Sequence, residues 1–224
     1  TADSFLFMLN GETPEPLAAK ALDRDMLLHA EHGLAASTVS ARLTVSTMSD
    51  VFAAVCAAIG TLKGPLHGGA AGGVFSVLKD IGSVDRVSGY IHEALARNEK
   101  IPGFGHRVYK TTDPRAVHLK EMARQLAEQS GGSIYFDIAE RLVEVTLPLT
   151  EAKGVFPNVD LYSGIIYDCI GIPEELVNSI FAISRTAGWV AHALEQMSNN
   201  RLIRPRERYS GLLDRPYVAI ENRA

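Results

Sequence analysis

The chain has 224 residues, 46% hydrophobic, 21% charged and 7% aromatic, with a formal net charge of −4. That balance fits an ordinary globular protein with one large core or two smaller ones. It argues against nucleic acid as a partner, since no basic run or aromatic-basic interleaving offsets the acidity, and no membrane span or signal-peptide pattern is expected.

The chain opens on Thr1 and soon reaches the apolar Phe5–Leu9, a segment greasy enough to need a partner; a fragment, or one chain of a larger assembly, is expected. Pro14–Ala30 then reads as a helix, with Leu17, Ala21, Met26 and Leu28 at three-and-four spacing. Ser37–Val45 and Asp50–Leu62 follow, the second so apolar that it is expected to be buried on all sides. Gly68–Ile81 is a glycine- and alanine-rich helix start, and Val84–Arg97 ends in basic residues that suit a helix C-terminus. Asp113-Pro114 is a start signal, with Asp as N-cap and Pro at the first helical position. That helix presents Val117, Leu119, Met122 and Leu126 and stops at Gly131-Gly132. Ser133–Leu149 is ended or bent by Pro148, Asp160–Cys169 is shorter, and Glu174–Ser198 carries Leu176, Ile180, Phe181, Ile183, Trp189, Val190 and Leu194 as its buried stripe. No strand or hairpin signal is present, so the predicted fold is all-α. Cys56 and Cys169 lie in apolar helical runs and read as reduced core residues of a cytosolic protein. The tail Arg201–Ala224, polar and arginine-rich, is expected to lie over a neighbour.

Four islands carry chemistry. In Ile101-Pro-Gly-Phe-Gly-His-Arg-Val-Tyr-Lys110, glycines hold His106 on a bare loop, and Asp113-Pro-Arg115 then opens a helix. The loop polarises one end of a small anion while a guanidinium grips the other. In Gly64-Pro-Leu-His67-Gly-Gly, His67 precedes a helix start, whose dipole disfavours imidazolium and keeps the ring a neutral hydrogen-bond donor. Glycines 68, 69, 72 and 73 remove Cβ atoms and allow close approach. A histidine in such a turn is also a common structural element. In Phe156-Pro-Asn-Val-Asp160-Leu-Tyr-Ser-Gly164, Asp160 is either a helix-starting carboxylate or a general base. In Leu28-His-Ala-Glu-His32-Gly, two histidines three apart lack a third ligand, so His32 reads as a hydrogen-bond partner of an anion and no metal is predicted. Arg185 interrupts an apolar run and needs a counter-charge, for which a ligand carboxylate serves. Arg204 is fixed by Pro205. Taken singly, each arginine also fits a surface ion pair.

Together these islands resemble the citrate synthase family, which carries Leu-His-Ala-Glu-His, Gly-Pro-Leu-His-Gly, Pro-Gly-Phe-Gly-His-Arg-Val-Tyr with Asp-Pro-Arg, Pro-Asn-Val-Asp, Ser-Arg-Thr-Ala-Gly-Trp and Arg-Pro-Arg in this order. The resemblance runs from about residue 4 to residue 218 and looks closest to the shorter bacterial and archaeal enzymes. It implies a citrate synthase-like multi-helical fold in three segments: 1–66 as part of a large domain, 67–166 as a small mobile domain, and 167–224 as the large-domain return and C-terminal arm. It implies condensation of acetyl-CoA with oxaloacetate, the coenzyme A thioester being a co-substrate and no metal or permanently bound cofactor taking part. His67, His106 and Asp160 match the catalytic trio, and His32, His67, His106, Arg115, Arg185 and Arg204 match the oxaloacetate contacts. Arg204 belongs to the neighbouring subunit's site in a cytoplasmic homodimer. Ile101, Gly103, Phe104 and Gly105 match a cradle for the coenzyme A adenine, with Lys110 near its phosphates. The family's chains are longer, and their N-terminal part is absent here, so the fragment alone is expected to expose apolar surface and to be inactive. Rival readings are 2-methylcitrate synthase acting on propionyl-CoA, a citryl-CoA lyase, and an inactive helical partner subunit.

Overall fold

The computed structural model describes residues 2–223, with residues 69–72 described only in their backbone; Thr1, Ala224 and the surroundings of Gly69 and Gly72 lie outside the described residues. The all-α expectation holds. The helices are α1 (Ala2–Asn10), α2 (Pro16–His29), α3 (Ala36–Ser46), α4 (Val51–Leu62), α5 (Gly69–Ile81), α6 (Val87–Ala96), α7 (Pro114–Gln129), α8 (Ile134–Thr150), α9 (Val159–Cys169) and α10 (Val177–Ser198). Among the described residues no strand forms, and Phe104 and Pro157 make one isolated antiparallel bridge.

Side chains set many of the boundaries. Asp50 caps α4 by accepting from the Ala53 amide at 2.8 Å, Asp113 caps α7, Ser133 caps α8 and Asn158 caps α9. Each such cap satisfies an amide that the helix itself leaves without a partner. Pro148 sits inside α8 and neither ends it nor prevents its last turn from reaching Thr150.

Two cores result. The larger joins Leu6 of α1, Ala21 and Leu22 of α2, and the buried faces of α5 to α9, with α9 at its centre. Val159 and every residue from Leu161 to Tyr167 are buried. Full burial of an isoleucine such as Ile165 or Ile166 contributes about 1.5–3 kcal/mol. The smaller core packs α3 and α4 against Trp189 and Ala193 of α10.

Three expectations need correction. Helix α4 is not buried all round: Ala54, Ala58 and Leu62 face the smaller core, while Phe52, Ile59 and Cys56 are exposed. Ala54, Ala58 and Leu62 pack with α3 and α10, which turns Phe52 and Ile59 outward. Val117 of α7, and Ile183 and Leu194 of α10, are likewise exposed. Finally, the apolar start is itself a helix, with Leu6 in the core and Phe7 and Met8 outside it.

Candidate active site

The glycine-rich loop and the Pro-Asn-Val-Asp turn are stitched to each other. Gly105 N–H donates to the Phe156 carbonyl at 2.8 Å, and Asn158 N–H donates to the Gly103 carbonyl at 2.9 Å. Gly103 has φ +81°, and a Cβ there would lie 3.0 Å from the Leu161 side chain, so this close approach of loop to helix needs glycine. The pairing delivers His106 and Asp160 to the same place. Both line a cavity of about 810 Å³, together with His32, His67, Arg115 and Arg185.

The cavity is cationic at its base. Arg185 is buried, donates from Nε to the His29 carbonyl at 2.6 Å and stacks 4.7 Å from the Phe181 ring centroid. Among the described residues no carboxylate lies within ion-pair reach of it. Burial, with help from Arg115, lowers its pKa to about 10, which still leaves it charged at neutral pH. Arg115 differs. Its Nε and Nη2 grip the two carboxylate oxygens of buried Asp113 at 3.1 and 2.8 Å. The first-turn arginine thus has its partner two residues away.

The histidines are neutral, and their neighbours fix which nitrogen holds the proton. His106 Nδ1 accepts from the Val108 and Tyr109 amides, both at 3.0 Å, so the ring's proton sits on Nε2. His32 Nε2 lies 3.0 Å away and accepts it. Burial, followed by Arg115 and His106, pushes the His32 pKa down to about 4. Burial also lowers that of His106.

His67 is set by a different chain of bonds. Trp189 Nε1–H donates to the buried Ser37 hydroxyl at 3.1 Å, and that oxygen lies 2.7 Å from His67 Nε2. The Ser37 proton has His67 Nε2 as its acceptor, which leaves the His67 proton on Nδ1. Its pKa is lowered by burial first and by Arg185 second, the same direction as the helix-start field expected from sequence.

Asp160 stands in the first turn of α9, its amide capped by the Asn158 side chain at 3.0 Å. Burial raises its pKa, opposed by His29 and Arg115. Behind it lies a polar seam between α2 and α9. Fully buried Asp25 accepts from Ser163 at 2.7 Å and Tyr167 at 2.5 Å and faces buried His29. His29 is therefore part of an interior network and does not reach the cavity wall as His32 does.

The remaining predicted residues fall elsewhere. Ile101 is buried in the larger core, while Gly103, Phe104 and Gly105 form the backbone edge beside the cavity. Lys110 is exposed, with Nζ 3.5 Å from the His106 carbonyl. Arg204 lies in the exposed C-terminal arm near Glu207 and does not line this cavity. Among the described residues no three His, Cys, Asp or Glu side chains gather as a metal ion would require.

Sequence reading missed several residues. Ser37 and Asp25 carry no local signal. Asn158 was seen only as a turn residue, and Tyr109 only as part of a motif, though its ring centroid lies 4.7 Å from that of His106. Trp189 is core, as its place in the buried stripe predicts, and its bond to Ser37 is the added role. Its place four residues after Arg185 on the same helix face was the available clue. Glu31 was passed over too; it lines the cavity and accepts from His192 at 2.9 Å.

Comparison with known proteins places this geometry in context. The family described as citrate synthase, C-terminal domain, matches residues 1–206. Citrate synthase 2 of Bacillus subtilis (strain 168) is 49% identical over 223 residues, covering 100% of this chain and 59% of that protein. A citrate synthase of Saccharolobus solfataricus is 40% identical, with 99% of this chain and 60% of that protein covered. A solved ternary complex of carboxymethyl coenzyme A and oxaloacetate with citrate synthase from Thermoplasma acidophilum superimposes with a TM-score of 0.91 at 37% identity, over 99% of this chain and 60% of the other. The chain thus spans about three fifths of the length of these relatives.

Proposed function

The chain belongs to the citrate synthase family, and from that membership we propose that its cavity condenses acetyl-CoA with oxaloacetate to citryl-CoA, which is then hydrolysed to citrate and coenzyme A. One observation carries the reading: a buried guanidinium, Arg185, with no carboxylate in ion-pair reach among the described residues, faces the same cavity as a neutral Nε2–H imidazole, His106, and a half-hidden carboxylate, Asp160. A buried cation is costly unless an anion completes it, and a small dicarboxylate with a ketone between its ends meets all three groups.

Asp160 takes a methyl proton from acetyl-CoA, its burial-raised basicity suiting the task. His67 donates from Nδ1 to the thioester oxygen as the enol forms. The enol carbon attacks the oxaloacetate ketone, and His106 gives its Nε2 proton to the ketone oxygen as the carbon–carbon bond is made. The proton held by Asp160 restores the balance through solvent. His32, Arg115 and Arg185 hold the carboxylates, so the reacting atoms meet at fixed distance. Water then cleaves the thioester. Ile101, Gly103, Phe104 and Gly105 cradle the adenine of the thioester substrate, and Lys110 meets its phosphates.

In this reading segment 67–166 moves against a frame of 1–66 and 167–224. The separate core of α3, α4 and the end of α10 lies wholly within that frame, which supports such a division, and α10 contributes to both cores. Arg204, exposed on its arm, serves the site of a second copy in a cytoplasmic homodimer. The test is coenzyme A release by the full-length protein. Free thiol should appear only when oxaloacetate and acetyl-CoA are both present, and faster than with propionyl-CoA. Release without oxaloacetate, or preference for propionyl-CoA, contradicts the reading.

A further inference from the structure

Among the described residues, Asn158 is the one side chain hydrogen-bonded to both catalytic segments. Its Oδ1 accepts from the Asp160 amide at 3.0 Å, and its Nδ2–H donates to the Gly105 carbonyl, the peptide preceding His106, at 2.9 Å. Its own amide donates to Gly103, and Gly105 N–H returns to Phe156. Two backbone bonds and two side-chain bonds therefore close a short ring between residues 103–105 and 156–160. Both polar atoms of the amide are used, and no other uncharged side chain of this length offers an acceptor and a donor on the same carbon.

We propose that Asn158 is a positioning residue that locks the proton-accepting Asp160 and the proton-donating His106 into one rigid unit, fixing the distance between the two ends of the condensation. The proposal rests on the functional reading above. It goes beyond the helix cap, because capping needs Oδ1 alone: serine caps as well as asparagine yet cannot reach Gly105. The two catalytic groups belong to segments some fifty residues apart, and Asn158–Gly105 is the side-chain bond between them. A closing motion of segment 67–166 then carries acid and base together and alters their relation to Arg185, which the frame holds. A displacement on the scale of an ångström between reacting groups costs about a hundredfold in rate, so the loss of this tie is legible in turnover.

The experiment compares Asn158→Ser and Asn158→Ala with the wild type in the full-length protein, by steady-state kinetics, thermal unfolding and amide hydrogen exchange. Serine keeps the cap and loses the tie, while alanine loses both. For Asn158→Ser the expected result is kcat lowered about tenfold to a hundredfold, with KM for oxaloacetate within about threefold and little change in Tm. Amides 103–105 should exchange faster while those within α9 do not. Alanine should match serine in kcat and fall further in Tm. Wild-type kcat and wild-type exchange in Asn158→Ser, with loss confined to alanine, would reduce Asn158 to a helix cap and overturn the proposal. If the wild type makes no citrate, the functional reading fails, and the exchange comparison still decides whether the tie exists.

Discussion

Arg185 shows at the scale of one residue how the site is tuned for an anion. Its guanidinium is buried, held by the His29 carbonyl and the Phe181 face, and among the described residues no carboxylate lies within ion-pair reach of it. Arg185→Met keeps the length and the contact with Phe181 while removing the charge. We expect Tm within about 4 °C of wild type, because the lost hydrogen bond is offset by a relieved desolvation cost. In the proposed reading oxaloacetate should stabilise the wild type by about 2.7 kcal/mol at a hundredfold excess over Kd, and in the variant that stabilisation should vanish. A persisting oxaloacetate shift in thermal unfolding contradicts this. Protonation offers a second check. The His32 pKa falls from the usual 6.5 to about 4 on folding, so the unfolded chain takes up that proton first. Its contribution makes the fold progressively less stable as pH falls from about 6.5 to about 4, with no further loss from this group below that. His32→Gln should flatten that part of a Tm-against-pH curve. Activity obeys a separate rule. In the proposed reaction it needs ionised Asp160, whose pKa burial raises, so kcat/KM should drop, as pH falls, at a point above the ordinary aspartate value.

Among the elements, α10 shows why the Ser-Arg-Thr-Ala-Gly-Trp run is more than a stripe. Arg185 faces the cavity, Gly188 N–H donates to the Ala30 carbonyl at 3.0 Å, and Trp189 reaches Ser37. A Cβ on Gly188 would stand 2.4 Å from that carbonyl, so alanine must push away the segment that carries Glu31 and His32. Gly188→Ala should cost about 1–3 kcal/mol of stability in denaturant unfolding and lower kcat as well. An unaltered midpoint and turnover would show that the segment yields freely. The helix boundaries were legible because Asp113-Pro114, Gly131-Gly132 and the apolar spacing act locally. The cavity residues were legible as islands of unusual chemistry. The residues that orient them were not: Ser37, Asn158 and Asp25 are ordinary polar side chains in sequence, and only contacts across more than thirty or fifty positions give them roles.

At the scale of the whole molecule, apolar surface is left exposed. Phe52 and Ile59 of α4 and Val39 and Leu43 of α3 are exposed, as are Leu212, Leu213, Tyr217 and Ile220 of the C-terminal arm. Sequence periodicity predicted burial for α4 because it cannot tell a face covered by the same chain from one covered by another. In the proposed homodimer, Phe52→Glu in the full-length protein should shift sedimentation toward the monomer and reduce turnover, since Arg204 would then lack a partner site; an unchanged dimer contradicts that assignment. The most direct measurement of the whole account is coenzyme A release from acetyl-CoA and oxaloacetate by the full-length protein and its Asp160→Asn variant, with oxaloacetate binding followed in parallel. The account predicts that the variant still binds oxaloacetate and loses about a hundredfold or more in kcat, the scale of general-base catalysis. Near-wild-type turnover in Asp160→Asn would contradict it.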